Sequence, residues 1–381
     1  MRKLLDRLHE EQKKRNIKNK EIAYELNVSA GTVSNWYKGT HVITFENYMQ
    51  LVKHICTDRY KYETFIVDFI TKMHKIKQVD EIKQIKLAIE WCFNNGKAHI
   101  AEKLINRYKE YDQVFELYEL LLRRNKRLVS NEEFYILVDR FKKSKKIDDV
   151  DTMALSEIMT MYAHFSLYNY NMFFLKSEAY RFISQISEQY LRKSFDLRFC
   201  EIQAFAELKE NNTKEAEIIA LDATKETNTI EFPLNAISMY SILGELHLFT
   251  DYEKSNEYIS KAFEILSYLP ASGNKYREES LKATHDFINI FHGKYNSLYL
   301  NNDAEKAYYF AKIGKREAAL ELLNKLEKQN GKLTPHQLYY KAIACGSEEI
   351  MKQSEDGFFN YRDKFYINLP RKYGFVTLSG K

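Results

Sequence analysis

The stretch from Ser29 to Lys38 carries the clearest chemistry in this chain. Read as a short helix, it turns Ala30, Gly31, Thr32, Ser34, Asn35 and Lys38 to one outer side. Those side chains are small and polar near the helix start, with a cation at its end. A helix that reads the major groove of duplex DNA presents such residues, because bulky chains would hold it off the base edges. The Asn35 carboxamide offers a donor and an acceptor that match adenine, and the Thr32 methyl suits a thymine methyl. Ser29 lies where the helix begins, and Lys18, Lys20 and Lys38 are spaced for phosphates, which fix position rather than sequence. The competing reading of the same residues is an ordinary helical hairpin with a solvated face.

The elements that must hold this face are legible around it. Asn19 is expected to cap a first helix over 20–26, with Ile22, Ala23 and Leu26 on its inner side. Asn27, Val28 and Ser29 then form a turn, and Ser29 caps a second helix running to about Tyr37. Val33 and Trp36, three apart, face back onto the first helix, Ala23 permits a close crossing, and Gly39 supplies the φ > 0 that ends it. The whole is a helix-turn-helix. Before it, Leu4, Leu5 and Leu8 mark a helix over residues 1–16. After it, Thr44 caps another containing Tyr48, Leu51, Val52 and Ile55. Residues 58–77 read as a further helix with Phe65, Ile66, Phe69 and Ile70 inward.

A second set of residues suits a different partner. An extended peptide exposes backbone N–H and C=O groups, and Asn side chains satisfy both kinds. Asn228, Asn235, Asn289, Asn301 and Asn302 are candidates, each also able to serve as a turn or a cap. Glu305 or Asp363 would hold a basic side chain or an N-terminal amine, and Phe365 would wall an apolar position. These residues fall in an array of helical pairs. The segments LAIEWCFNNGKAHIAEKLINRY, AFAELKENNTKEAEIIALDAT, SILGELHLFTDYEKSNEYISKAFEIL and AYYFAKIGKREAALELLNKL each join an aromatic-rich helix to one carrying a small residue (Ala101, Ala216, Ala262, Ala318). Small residues let the paired helices approach. That logic is tetratricopeptide-like, and stacked pairs form a right-handed superhelix with a concave groove. The fold class is therefore all-α, with an N-terminal helix-turn-helix followed by the repeat array. The expected domains are 1–57 for DNA binding, 58–80 as a linker helix and 81–381 for peptide binding.

Composition narrows the partners. The first of the four prolines is Pro233, so the preceding chain favours uninterrupted helices. Between Met1 and Tyr62 twelve Lys and Arg stand against seven Asp and Glu, which accounts for the entire net charge of +5. The remaining residues sum to zero, so a polyanion suits only the N-terminal end. Cys56, Cys92, Cys200 and Cys345 are isolated, which signals neither a zinc ribbon nor a disulfide framework. No secretion signal or membrane span is read, and a cytoplasmic location is expected. His285 and His292 are two turns apart without a third ligand beside them. No HExxH, Walker loop or GxSxG elbow occurs, so neither an enzyme nor a cofactor or metal is expected.

The chain resembles the peptide-sensing transcription regulators of Gram-positive bacteria and their phages, and within them the arbitrium receptors. The similarity is sharpest at YRDKFYINLP (Tyr361–Pro370), LGELHLF (Leu243–Phe249) and AEKAYYF…ALELLNKL (Ala304–Leu326). It implies a phage regulator of the lysis–lysogeny decision in the host bacterial cytoplasm. Such a regulator binds operator DNA when peptide-free and releases it on binding a linear signal peptide of about six residues. It also implies peptide-site roles for Glu305, Asp363 and Phe365, and a groove-wall role for Leu248. Two positions depart from the family pattern: Glu245 stands where an Asn is expected, and Glu231 where a basic residue is. The chain ends RKYGFVTLSGK where relatives have a leucine-rich dimerising helix, which puts a C-terminal dimer contact in doubt. A homodimer is still expected, because one helix-turn-helix reads a half-site. The alternatives are a repeat adaptor for a partner protein or RNA, and a repeat inhibitor of a phosphatase or kinase.

Overall fold

The computed structural model describes residues 1–73, 81–171, 173–227, 229–269 and 271–374. Every regular element among them is helical. The chain separates into two compact units, Met1–Glu116 with Glu188–Lys193, and Leu117–Ser187 with Ser194–Lys381.

The first unit begins with α1 (Arg2–Lys14), α2 (Asn19–Glu25), α3 (Ala30–Lys38) and α4 (Phe45–Ile55). Leu4, Leu5, Leu8, Ile22, Val33 and Trp36 form the core between the first three, and the Tyr37 ring stacks on His9 at 4.3 Å. The Ser29 hydroxyl accepts the Thr32 N–H (3.0 Å) and the Thr44 hydroxyl accepts the Asn47 N–H (3.2 Å), so both expected caps form. Gly39 has φ 72° and closes α3 as expected.

Asn19 does not cap α2. Lys18 takes the cap position, and the Asn19 carboxamide oxygen instead accepts a bond from Gln12 Nε2 (2.8 Å), which ties the end of α1 to the start of α2. Leu26 is only half-buried.

Next come α5 (Arg59–Met73), α6 (Glu81–Asn94) and α7 (Ala98–Tyr108). The anticipated linker over 58–80 extends into 74–80, which lie outside the described residues. Its described part, α5, is integral to the first unit. Phe65, Ile66, Phe69 and Ile70 are buried, Tyr48 stacks on Phe69 at 4.2 Å, and Arg7 pairs with Asp68 at 2.8 Å. The Phe45 N–H donates to the buried Gln84 of α6 (2.6 Å). The compact unit therefore extends well past Thr57 and includes the helical pair α6–α7, which sequence placed with the repeats.

Then follow α8 (Val114–Asn125), α9 (Asn131–Ser144), α10 (Val150–Ser166), α11 (Phe173–Ile183), α12 (Gln189–Lys209), α13 (Thr213–Glu226), α14 (Pro233–Leu246), α15 (Tyr252–Ser267), α16 (Ala271–Phe291), α17 (Asp303–Lys312), α18 (Arg316–Asn330), α19 (Pro335–Cys345) and α20 (Glu348–Asn360). A single π-helical stretch, Leu369–Gly374, follows α20. Helices of the second unit pack mainly on their sequence neighbours, α9 with α10, α13 with α14, α14 with α15, α17 with α18 and α19 with α20. Local pairing of this kind is what a helical-repeat array requires. Ala216 and Ala262 are fully buried where helices approach. In the last expected pair the buried small residue is Ala319 rather than Ala318, which is half-exposed.

Candidate functional site

On the first unit, α3 divides cleanly. Val33, Trp36 and Tyr37 are buried, while Ser29, Gly31 and Lys38 are exposed and Ala30, Thr32, Ser34 and Asn35 are partly exposed. Lys18 and Lys20 are exposed beside it. Ser29 is partly committed: besides capping α3, its hydroxyl lies 2.9 Å from the Thr32 hydroxyl. The Asn35 amide is 3.4 Å from His41 Nδ1, a long contact that a base edge could replace. The outer face therefore keeps its hydrogen-bonding groups within reach of a partner.

The second unit holds a cavity of about 370 Å³. It is lined by Lys209 of α12, Glu245 of α14, Phe287 of α16, Glu305 of α17, His336 and Tyr340 of α19, and Tyr366 beyond α20, among others. The Tyr340 hydroxyl donates to Glu305 (3.1 Å), and the Tyr366 hydroxyl donates to Glu245 (2.7 Å). Burial pushes the Glu305 carboxyl up to about 8, with repulsion from Asp286 adding to the effect and the Tyr340 bond opposing it. Burial also raises Glu245, against the attraction of Lys209. His336 is driven down to about 4 by burial, helped by the nearby Lys209 cation, and is neutral near pH 7.

The sequence-chosen peptide residues meet this cavity unevenly. Glu305 lines it. Asp363 stands at its edge, where its carboxylate accepts from Lys209 Nζ (2.8 Å) and from the Tyr366 N–H (2.9 Å). Phe365 points elsewhere: with Phe249, His247, Asn368 and Tyr373 it lines a second cavity of about 300 Å³. Leu248 is fully buried, and its carbonyl accepts from His292 Nε2 (2.8 Å). Asn235 is buried in the first turn of α14, and its carboxamide oxygen has no protein partner.

Asn302 caps α17 by accepting the Ala304 N–H (2.8 Å), and Asn301 is exposed. Asn289 is bonded internally, accepting from the Tyr252 hydroxyl (2.9 Å) and donating to the His285 carbonyl (2.8 Å). Asn228 lies outside the described residues.

Sequence reasoning missed Lys209, His336, Tyr340 and Tyr366, and counted Glu245 only as a departure. Nothing in the local pattern marks them, because the cavity assembles residues from five helices and the segment after α20. Among the described residues no group of His, Cys, Asp and Glu is arranged to hold a metal, and His285 and His292 have other partners. No described helix is long and apolar enough to cross a membrane.

A helix-turn-helix with an exposed outer face, together with a helical-repeat unit that holds a cavity lined by carboxyl groups, is the architecture of a transcription regulator with a separate repeat unit. The family model for AimR transcriptional regulator-like proteins matches residues 66–373, and the chain belongs to that family. The fold matches the solved structure of phAimR with a ligand at a TM-score of 0.70 and 19% identity, covering 89% of this chain and 97% of that one. It also matches the selenomethionine phAimR structure, at a TM-score of 0.68 and 19% identity over 99% and 97% of the two chains. An uncharacterized Bacillus anthracis protein, pXO2-35, is 25% identical over 236 residues, which cover 61% of this chain and 87% of that protein. The architecture is the all-α one anticipated, a helical-repeat superhelix of the kind AimR structures have, and the chain is a peptide-sensing regulator of that kind.

Proposed function

We propose that this chain binds operator DNA through residues 1–57 when peptide-free, and releases it when the repeat unit captures a short arbitrium-type signal peptide in the host cytoplasm. The observation that carries this reading is the division of α3. Its apolar side is consumed in the core of the first unit, while Thr32, Asn35 and Lys38 retain surface exposure. A solvated hairpin would divide in the same way, so what favours the DNA reading is that the exposed side chains are small and polar with a cation at the helix end. All of the net positive charge falls within residues 1–62, which suits attraction to phosphates at that end.

The switch proposed is a population shift. A peptide that engages Glu305, and Asp363 at the cavity edge, favours one arrangement of the repeat unit, and in that arrangement paired heads no longer match adjacent half-sites. Peptide must bind that arrangement more tightly than the other for any release to occur. Gel shift of the full chain on duplex DNA from its own upstream region, with and without candidate peptides, tests the scheme. Saturating peptide that leaves the DNA complex intact sinks the switch, and absence of any salt-sensitive duplex binding sinks the DNA reading.

A further inference from the structure

Among the outer-face residues of α3, Asn35 alone carries a carboxamide, and that carboxamide is held from outside the helix. Gly39 turns the chain at φ 72°, and the two residues after it fold back onto α3. The N–H groups of Thr40 (3.0 Å) and His41 (3.4 Å) and the Thr40 hydroxyl (3.2 Å) all donate to the Asn35 carbonyl. Two residues further on, Ile43 is buried in the core and fixes the other end of this loop. The exposed His41 ring is thereby brought to the Asn35 side chain, with Nδ1 3.4 Å from the amide nitrogen. An amide nitrogen can only donate, so Nδ1 accepts and the imidazole proton sits on Nε2. Among the described residues, the second amide N–H and the carboxamide oxygen of Asn35 have no protein partner. Those two groups form a donor and an acceptor side by side, which is what the N7 and N6 edge of adenine requires.

We infer that His41 is a positioning residue for base reading: it holds the Asn35 carboxamide with one donor and the acceptor outward, and so sharpens the preference for adenine at one base pair. The inference rests on the reading of the first unit as a DNA-binding head. A carboxamide turns end for end about its last bond at little cost, because that torsion is broad and nearly two-fold. Turned over, Asn35 would set its oxygen against Nδ1, acceptor facing acceptor, so the ring disfavours that form. Without the ring both orientations are open, and selecting one on the duplex costs entropy at the moment of binding. The contact is long, so it orients the amide without competing strongly with a base for it. His41 is itself exposed, and its removal takes nothing from the core.

The test selects binding sites for the full chain from a duplex pool with a randomised centre, then measures anisotropy on the selected duplex and its single base-pair variants. Asn35→Ala locates the base pair that Asn35 reads, as the one whose A·T preference it removes. The unaltered chain is expected to bind A·T there about tenfold or more tightly than G·C. His41→Ala is expected to cut that preference by about threefold. Preferences at other positions, the salt slope and binding to random-sequence duplex should stay as they are. His41→Asn, whose side-chain oxygen can accept in the place of Nδ1, is expected to restore the preference. Circular dichroism checks that the variants remain folded.

An A·T preference that His41→Ala leaves intact overturns the inference and leaves the DNA reading standing. So does a uniform loss across all sequences with a lower salt slope, which makes His41 a phosphate contact. Asn35→Ala that relaxes no position has the same consequence, since there is then no base contact to orient. If no sequence is selected and no salt-sensitive duplex binding is seen, the DNA reading falls and the inference falls with it.

Discussion

Lys209 Nζ lies 2.8 Å from Asp363 Oδ2, across 154 residues of sequence, and both side chains are largely buried. Beside this pair the Lys364 N–H donates to the Lys209 carbonyl (2.8 Å), and the Lys364 ammonium pairs with Glu210. The end of α12 and the segment after α20 are thus joined by two ion pairs and a backbone bond.

Removing one member of a buried pair leaves the other charge uncompensated, at a cost of about 3–5 kcal/mol. Lys209→Met and Asp363→Asn are each expected to lower stability on that order, while the double substitution loses less than the two combined. Urea unfolding of the four chains measures the coupling, and strict additivity would show that the contact contributes nothing specific. Asp363→Ala is also expected to weaken peptide binding while leaving operator binding unchanged.

Asn35→Ala should weaken operator binding by about 1–3 kcal/mol without unfolding α3, since the side chain supports no core contact. Lys38→Ala should lower the slope of log affinity against log salt by about 1, because one phosphate contact disappears. Fluorescence anisotropy over a salt series reads both. An unaltered slope removes Lys38 from the phosphate contacts.

Gly244 is expected to be intolerant of any side chain. A Cβ there would lie 2.6 Å from Ile259 Cδ1 and 3.3 Å from the Ser255 carbonyl oxygen, at the α14–α15 crossing. Ser255 Oγ also donates to the Gly244 carbonyl (2.6 Å), which keeps the two helices from parting. Gly244→Ala should cost about 1–3 kcal/mol. Ile259→Val in the same chain, which removes the crowding methyl, should recover part of it in thermal unfolding.

The peptide-free protein should lose stability between pH 6.5 and 8. Glu305 has its carboxyl raised to about 8 in the folded chain, so above the unfolded value of 4.5 the folded state holds a proton that the unfolded state has released. Its contribution is complete below 4.5 and is lost as pH rises through 8. His336 acts oppositely: lowered to about 4, it favours the folded state above 6.5 and loses that advantage as pH falls through 4. The two slopes offset one another between 4.5 and 6.5. Above that range only the carboxyl's remains, a decline of about 2 kcal/mol by pH 8. Glu305→Gln should flatten it in a series of urea denaturations.

What could be read in advance depended on how local the cause was. Ser29, Thr44 and Gly39 act within their own helix ends, so their residue types announced the caps and the stop. Val33 and Trp36 repeat at helical spacing, and the buried side of α3 followed. Asn19 failed because its partner, Gln12, belongs to the preceding helix and competed successfully for the carboxamide. The placement of Phe365 was not legible for a related reason. Adjacent residues of an irregular segment turn to opposite sides, so Tyr366 entered the charged cavity and Phe365 the aromatic one. Glu245 showed itself only as a departure from a pattern; its partner Tyr366 lies 121 residues away, beyond the reach of any periodicity.

The tie between α12 and the residues after Asn360 bears on the order of assembly. Residues 361–374 are synthesised after all the helices they lace together, and contacts spanning so much sequence form late. A nascent chain can pair its hairpins while the cavity is still incomplete, and the cavity closes its lining only once residues 361–374 have emerged and docked. A chain stopped after Asn360 should therefore retain most of its helical signal yet expose Lys209 and Glu245 to solvent. Hydrogen exchange at α12 and α14 as slow as in the intact protein would refute that sequence of events.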